Sequence, residues 1–325
     1  MVYYFSRFLI RLALPIFLRR LCVFNKQIVP THGPVLLASN HSGSFFDALV
    51  VGAIVSQPIH TFTRGDVFRN PKVAFWLRQI NLIPVFRGSE GRHNLKKIDD
   101  TILRSLRVLR QEEIVLVFSE GVCVNEWRLR PLGKGTARMA HQAWFGEEGL
   151  AELAVIPTGL TYEHYRGTGK RVVVKFGEPI RAADIATAPA DYEKWLREFN
   201  ELLTARMRAT ILEVPAQATP GEQQQHLQQY LQVCPVPPTP ALARPLGTLG
   251  RALHRPLYRA LSQWVARRTA GTVFYDSVLF GLLVYLYPLL VVLLSLLVGT
   301  LAGWPWGTLV FVGVPLLAYL GNRFR

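Results

Sequence analysis

The chain of 325 residues can hold more than one domain, and its net charge of +15 comes from 37 Lys and Arg against 22 Asp and Glu. This excess of cations suits an anionic membrane face, a phosphorylated substrate or a nucleic acid. Half of the residues are apolar and the mean hydropathy is positive, which argues against a soluble nucleic-acid-binding protein and favours a membrane protein.

The first 27 residues combine arginines with aromatic and aliphatic residues and contain no acidic residue. The longest uncharged run between the arginines, Leu12 to Leu18, is far shorter than the roughly 20 residues of a membrane span. No small-residue cleavage site follows, which argues against a signal peptide. Residues 1–27 are therefore predicted to form a basic amphipathic helix in the membrane interface, with a helix packed on the domain as the alternative.

Residues 28–210 alternate short apolar runs with helical patterns. The alternation predicts an α/β domain with a mixed, largely buried sheet flanked by helices. The predicted strands are 34–39, 59–63, 82–86, 114–118, 153–158 and 171–176, and the predicted helices are 45–55, 71–80, 93–110, 134–145 and 191–212.

Residues 211–272 begin with a Pro- and Gln-rich segment, predicted as a linker with room for one short helix, and continue as a basic helix. From Ser277 to Asn322 there is no charged residue, and one helix of that length would measure about 70 Å, twice what a bilayer needs. The run is interrupted from Gly303 to Gly307, which contains two tryptophans. Residues 273–325 are therefore predicted to form a transmembrane hairpin, with spans near 278–299 and 308–321 and a buried soluble hairpin as the alternative.

Arginines flank both ends of the predicted hairpin, and by the positive-inside bias the α/β domain is expected to face the cytoplasm. The cysteines Cys22, Cys123 and Cys234 are scattered, which indicates a reducing compartment more than a disulfide framework. Neither the cysteines nor the histidines show metal-ligand spacing. We therefore predict no metal and no tightly bound cofactor.

A histidine and a carboxylate occur together where the apolar run Val35 to Ala38 gives way to a predicted helix. On one α-helix, His41 and Asp47 would point about 120° apart, so His41 is predicted on the loop and Asp47 just inside the helix. Ser44 is a suitable N-cap with Asp47 as the acidic partner of a capping box. Alone, such a pair is more often an ordinary helix start with a histidine nearby.

Three further blocks place polar residues at the ends of apolar strands, where open α/β sheets have their sites. They contain Arg64 with Arg87, then Glu120-Gly121, and then Pro157. In order and spacing, the four blocks resemble the glycerolipid acyltransferase family over roughly residues 28–210. Five residues separate the His from the Asp here, whereas the family usually has four. The longer spacing and the two-span C-terminal region resemble the glycerol-3-phosphate acyltransferase-like branch.

The third block departs from the family pattern, in which Phe-Pro-Glu-Gly is often followed by Thr-Arg. Here Ser119 replaces the Pro, and Cys123 stands where the Arg is expected. An anion contact at that place would need Arg128, Arg130 or Lys134 as a substitute.

Acyl transfer from a thioester to an alcohol requires removal of the hydroxyl proton as the oxygen attacks the carbonyl. The imidazole of His41 suits a general base, and Asp47 would fix its tautomer and orientation. No enzyme nucleophile is needed, because the substrate hydroxyl attacks directly. Backbone amides from Ser42 to Ser44, at a helix N-terminus, are expected to stabilise the oxyanion.

Guanidinium groups bind phosphate dianions through two hydrogen bonds, so Arg87 and Arg64 are predicted phosphate contacts. Arg87 holds the place that the resemblance assigns to the acceptor's phosphate. Glu120, followed by Gly121, is predicted to accept from acceptor hydroxyl groups, with a structural role in balancing the cationic pocket as the alternative. Pro157 is predicted to shape the acyl-facing loop.

The sequence thus predicts a membrane-bound O-acyltransferase of the bacterial inner membrane that transfers a fatty acyl group from acyl-CoA or acyl-carrier protein to glycerol-3-phosphate. A 1-acylglycerol-3-phosphate (lysophospholipid) acyltransferase is the alternative within the class. An acyl-thioesterase would use the same pair with water and would not need Arg87, and a non-catalytic membrane-binding protein would tolerate loss of His41. The expected partners are the acyl donor, a phosphorylated glycerol or lysophospholipid acceptor and the bilayer, without nucleic acid.

Overall fold

The computed structural model describes residues 1–85, 95–147, 149–241 and 243–324. Seven strands are present in this part of the chain: β1 Arg20–Phe24, β2 Val35–Ser39, β3 Ile59–Arg64, β4 Leu82–Val85, β5 Ile114–Phe118, β6 Ala154–Tyr162 and β7 Arg171–Phe176. They form one sheet in the order β1-β7-β6-β2-β5-β3-β4. The helices are α1 Val2–Phe17, α2 Phe45–Ile54, α3 Pro71–Gln79, α4 Leu95–Arg110, α5 Gly135–Phe145, α6 Tyr192–Arg208, α7 Pro220–Tyr230, α8 Ala243–Arg268, α9 Tyr275–Ala302 and α10 Trp304–Arg323.

The sheet is mixed, as predicted, because β6 and β7 run antiparallel while the other neighbouring strands are parallel. The strands β2, β5, β3 and β4 therefore end at one common edge. Side chains alternate across the sheet along β2. Val35 and Leu37 pack in a core shared with α1, α2 and α9, whereas Leu36 and Ala38 pack against α4, α5 and α6. Helices on both faces explain why the central strands are continuous apolar runs.

The prediction of one helix over residues 1–27 is wrong, because α1 ends at Phe17 and β1 follows as an edge strand paired with β7. Arg7 of α1 is buried and donates from Nε to the carbonyl oxygen of Gly52 at 2.9 Å, and also to that of Val55. These carbonyls lie at the C-terminal end of α2, where a helix leaves its acceptors unpaired. The helix thus packs on the domain through one face.

The opposite face of α1 exposes large apolar side chains, namely those of Tyr4, Phe5, Phe8 and Leu12. A membrane position for this face stays a prediction.

The Pro- and Gln-rich segment contains the one short helix for which the prediction left room, but it packs on the domain and is not a free linker. Leu212, Val214, Leu227 and Leu231 are buried in a small core beside β1 and β7. The short helix α7 forms because Pro220 occupies its first turn and Thr219 and Glu222 make a reciprocal capping box. A favourable helix start therefore overrides the linker-like composition.

Cys22 in β1 and Cys234, just after α7, form a disulfide in the structure. The scatter of the cysteines did not indicate this pairing, because residues distant in sequence meet when the segment folds back onto the edge strand, and the predicted reducing compartment stays a prediction. Cys123 is the free cysteine.

The helices α9 and α10 are long and apolar enough to cross a membrane, and they contain the predicted spans 278–299 and 308–321. Large apolar side chains along both are exposed, among them Leu289, Leu293, Leu297, Leu309, Val312 and Leu316. Such exposure is unlike the core helices of a soluble protein. The basic helix α8 packs closely on α10. At Gly250 the two helices are so near each other that an added Cβ would overlap the carbonyl oxygen of Leu317.

Candidate active site

The loop after β2 brings His41 and Asp47 into direct contact, as the sequence predicts. His41 Nδ1 lies 2.9 Å from Asp47 Oδ2, and Asp47 stands in the first turn of α2. The Asp47 side chain is fully buried, while that of His41 is 19% exposed. Within the described residues, no protein group bonds His41 Nε2, so this nitrogen is available to a substrate.

Asp47 accepts hydrogen bonds from two further groups. The Gly43 N–H lies 3.0 Å from Oδ1 and 2.9 Å from Oδ2, and the Tyr162 hydroxyl donates to Oδ1 at 2.6 Å. Because an ionised carboxylate can only accept hydrogen bonds, His41 donates to it through Nδ1–H, which leaves Nε2 of the neutral imidazole as the acceptor. Gly43 has no room for a side chain, since a Cβ there would lie 2.5 Å from Asp47 Oδ1 and 2.9 Å from the Tyr162 ring.

The predicted capping box is wrong. Ser44 is the N-cap of α2, but its side chain makes no cap hydrogen bond and its backbone has a φ of 60°. The Asp47 carboxylate instead turns to His41, Gly43 and Tyr162. Ser44 is buried within the segment between His41 and Asp47, called the catalytic loop from here on, and its role in substrate binding stays a prediction.

The expected oxyanion amides are largely engaged within the protein. The Gly43 N–H donates to Asp47, and the Ser44 N–H donates to Cys123 Sγ at 3.1 Å. Of the three amides predicted from the sequence, that of Ser42 alone makes no hydrogen bond to any residue that the structure describes.

The end of β5 holds the histidine in place. The His41 ring stacks on Phe118 with centroids 3.9 Å apart and planes inclined by 12°. The His41 N–H donates to Glu120 Oε2 at 2.9 Å, and its carbonyl oxygen accepts from the Val124 N–H at 3.2 Å. Both the ring and the backbone of His41 are thus fixed by the neighbouring strand.

Glu120 joins two loops of the site. Its Oε1 accepts from the Arg130 backbone N–H at 3.0 Å, while its Oε2 accepts from the His41 backbone N–H. Burial raises the pKa of this carboxyl, although the two amide bonds act in the opposite direction. Gly121 has a φ of +67°, a conformation that glycine adopts without strain, and it turns the chain directly after Glu120. Glu120 therefore joins the two loops through backbone amides, while the binding of an acceptor hydroxyl group and the balancing of a cationic pocket stay predictions.

Cys123 is a weakly acidic thiol where the family pattern has an arginine. Burial raises its pKa to about 12. The cations considered as substitutes already face carboxylates: Arg128 and Arg130 pair with Glu126 at 2.5 and 2.8 Å, and Lys134 pairs with Glu193 at 2.7 Å.

Of the two predicted phosphate contacts, the structure describes Arg64 but not Arg87. Arg64 ends β3 at the same sheet edge as the catalytic loop, and its side chain is 70% exposed. Its guanidinium binds both oxygens of Asp66, with Nε–Oδ1 at 3.1 Å and Nη2–Oδ2 at 2.7 Å. Arg87 lies outside the described residues, and its contact with phosphate stays a prediction.

Pro157 lies within β6, in agreement with the predicted strand 153–158, and its role in shaping an acyl-facing loop stays a prediction. Its carbonyl oxygen accepts from the Gly177 N–H at 2.7 Å, between the bridge of Val155 with Ile180 and the pairing of Thr158 with Phe176. The N–H and C=O of a strand residue point to the same side, so the amide missing at Pro157 falls where pairing is irregular. The ladder with β2 therefore loses no bond.

Tyr162 is a site residue that the sequence analysis did not single out. It is fully buried at the end of β6, and burial together with Asp47 raises its pKa well above the usual range, so it remains a hydroxyl donor. Its ring also lies 5.7 Å from the ammonium of the buried Lys170. The sequence block around Pro157 extends to Tyr162, but its pairing with Asp47 depends on strand order.

In the described part of the chain, no group of three or more His, Cys, Asp or Glu side chains is placed to hold a metal ion.

Comparisons with known proteins bear on the domain that carries this site. Residues 20–161 match the family model described as Acyltransferase. Over 187 residues, 57% of this chain and 85% of the relative, the sequence is 26% identical to the 1-acyl-sn-glycerol-3-phosphate acyltransferase of Bacillus subtilis (strain 168). The solved 1-acyl-sn-glycerophosphate (LPA) acyltransferase PlsC from Thermotoga maritima matches with a TM-score of 0.42 and 16% identity, over 58% of this chain and 70% of that one.

Proposed function

We propose that this chain is a member of the glycerolipid acyltransferase family and that it acylates 1-acylglycerol-3-phosphate in phospholipid biosynthesis. The contact between His41 Nδ1 and Asp47 Oδ2, with Nε2 left available, carries this proposal. It is the arrangement that a general base for an attacking hydroxyl group requires.

The reaction needs one proton carrier. The acceptor hydroxyl oxygen attacks the carbonyl carbon of the thioester while His41 Nε2 takes the hydroxyl proton. The tetrahedral intermediate then collapses, the carbon–sulfur bond breaks, and the leaving thiolate receives the proton from His41. Asp47 stabilises the imidazolium through Nδ1 and does not itself take the proton. The oxyanion is stabilised by backbone amides, for which Ser42 is the candidate on this loop.

Two observations favour different acceptors. The similarity to the Bacillus subtilis protein supports the lysophospholipid acceptor, whose free hydroxyl group lies beside an ester. The spacing of His41 and Asp47 supports glycerol-3-phosphate as the second candidate. Both carry a phosphate, for which Arg87 is the proposed ligand. The donor is a fatty acyl thioester, either acyl-CoA or acyl-carrier protein.

We also propose that α9 and α10 anchor the enzyme in the bacterial inner membrane. Their exposed apolar side chains and the location of acylated acceptors in bilayers support this placement. Arg267 and Arg268 precede α9 and Arg323 ends α10, so the positive-inside bias favours a catalytic domain in the cytoplasm.

The function is tested with membranes that contain the protein, a labelled long-chain acyl donor and one acceptor at a time. Labelled phosphatidic acid from 1-acylglycerol-3-phosphate is the expected result. If labelled lysophosphatidic acid forms from glycerol-3-phosphate and no product forms from 1-acylglycerol-3-phosphate, the second candidate, acylation of glycerol-3-phosphate, is the function. Labelled free fatty acid as the only product, with either acceptor, would contradict acyl transfer and indicate a thioesterase.

A further inference from the structure

The first turn of α9 reaches the catalytic loop although it is distant in sequence. Ser277 Oγ accepts from the Phe46 N–H at 3.0 Å and lies 3.4 Å from the Gly43 carbonyl oxygen, to which it donates. Phe46 is in the first turn of α2, where backbone amides have no partner within the helix. The cap that Ser44 does not provide therefore comes from another helix.

Gly43 connects this contact to the catalytic pair. Its N–H donates to Asp47, and its carbonyl oxygen accepts from Ser277. The backbone between His41 and Asp47 is thus held from both sides of one residue. Because the Gly43 backbone packs closely against Asp47 and donates to it, a shift of this loop would disturb the hydrogen bonds of Asp47 directly.

Asp276, the residue before Ser277, supports the other side of Asp47. It accepts from the Gly167 N–H at 2.7 Å and forms an ion pair with Lys170. Both side chains are buried, and burial lowers the pKa of Lys170 against the raising effect of Asp276. Lys170 lies against the ring of Tyr162, whose hydroxyl group donates to Asp47.

Apolar packing keeps these hydrogen bonds dry. Phe280, one turn further along α9, lies with its ring centroid 5.0 Å from those of Phe46 and Phe17. Hydrogen bonds in such a water-poor region are electrostatically stronger than exposed ones. Of the two polar residues in the first turn of α9, Ser277 is thus bonded to the loop between His41 and Asp47, and Asp276 is bonded to Lys170, which lies against the ring of Tyr162.

We infer that the first turn of α9 is a positioning element of the active site, in which Ser277 holds the loop between His41 and Asp47, and Asp276 with Lys170 supports Tyr162. The inference rests on the proposed function, and it extends the candidate membrane hairpin beyond an anchor. The packing of α9 against the α/β domain completes the hydrogen bonding of the catalytic loop. None of these residues touches the reacting atoms, so their effect is exerted through Asp47 and His41.

The test compares Ser277→Ala, Ser277→Thr and the matched control Ser295→Ala in membranes. Ser295 lies on the same helix and also donates to a backbone carbonyl oxygen, that of Gly307 at 2.7 Å, but about 27 Å along the helix from Ser277. We expect Ser277→Ala to lower kcat about 10- to 100-fold, because small displacements of catalytic groups have effects of this size. KM for donor and acceptor should stay within about twofold. Ser277→Thr, which keeps the hydroxyl group, and Ser295→Ala should retain activity.

Hydrogen exchange of the same variants measures the contact without reference to turnover. Ser277→Ala should accelerate amide exchange in peptides covering residues 41–50 and leave those covering β5 unchanged, whereas Ser295→Ala should change neither. Asp276→Asn, which keeps an oxygen for the Gly167 amide but removes the charge, is the second variant, and it should lower kcat in the same direction.

Wild-type kcat together with wild-type exchange in Ser277→Ala would overturn the inference, and so would a raised KM with unchanged kcat. If the wild-type protein transfers no acyl group, the proposed function fails, while the exchange experiment still decides whether Ser277 holds the loop.

Discussion

Asp47 is the residue on which the hydrogen bonds of the site converge. His41, Gly43 and Tyr162 all donate to its carboxylate, which is withdrawn from solvent. In such surroundings the orientation of the imidazole depends on several donors acting together. Loss of a supporting donor other than His41 should therefore weaken catalysis without abolishing it.

Tyr162→Phe removes one donor from Asp47 and keeps the ring. One hydrogen bond contributes about 0.5–1.5 kcal/mol, so we expect kcat to fall roughly 2- to 10-fold with little change in KM. Tyr165→Phe is the matched control, because its hydroxyl group donates to the Glu126 carbonyl oxygen at 2.8 Å and not to the catalytic pair. Equal kinetics of the two variants would contradict a role for Tyr162 in orienting Asp47.

The reactivity of Cys123 follows from its pKa of about 12. A cysteine side chain is mostly protonated and neutral below its pKa. At pH 8 only about one molecule in 10⁴ therefore carries the thiolate at Cys123, and the thiolate is the reactive species. Alkylation at Cys123, followed by peptide mass spectrometry, should therefore be slow and should accelerate about tenfold for each pH unit up to pH 10. In the denatured chain the rate should level off near pH 9. A plateau near pH 9 in the folded protein would contradict the burial of this thiol.

At the scale of elements, α1 stabilises the domain through Arg7. Arg7→Met removes the hydrogen bonds to Gly52 and Val55. Arg11 still donates to the Val55 carbonyl oxygen, so the buried carbonyl group of Gly52 is the one left unpaired, which costs about 1–3 kcal/mol. The melting temperature should therefore fall by several degrees in a thermal unfolding assay. The control Arg11→Met, whose bonds to Ala53 and Val55 are more exposed, should cause a smaller loss. A larger loss in the control would contradict the assignment.

Most elements of the domain could be predicted from local pattern, because a strand buried on both faces and an amphipathic helix have clear signatures. The strand β1 could not, since its residues Leu21 to Phe24 continue an apolar helical segment and their state is decided by pairing with β7. The helix α7 has a local signal in the capping box of Thr219 and Glu222, whereas the disulfide depends on packing against that edge.

The same division holds for the active site. His41 and Asp47 are close in sequence, and their contact could be predicted from the loop between them. Tyr162, Lys170 and Ser277 reach the site through strand order and through the docking of α9, for which the sequence offers no local signal. The capping box failed because Asp47 has stronger partners than the Ser44 amide.

For the whole molecule, the thiol state of Cys22 and Cys234 tests the proposed orientation. A cytoplasmic domain would keep both as thiols in the cell, although the fold brings them together for a disulfide. Cells quenched with acid, then denatured and alkylated, should thus show all three cysteines labelled by mass spectrometry. Membranes left in air should lose two labels as the disulfide forms. A chain labelled only at Cys123 directly after the quench would contradict a domain in the cytoplasm.

The central claim is that His41 is the base of an acyl transfer to a phosphorylated glycerol acceptor. The most direct measurement compares wild-type and His41→Gln membranes, at equal protein level, for labelled phosphatidic acid formed from 1-acylglycerol-3-phosphate and a labelled acyl thioester. General-base catalysis contributes about 10²- to 10⁴-fold, so turnover should fall by at least that lower factor while the protein stays in the membrane. Turnover of His41→Gln equal to that of the wild type would contradict the mechanism.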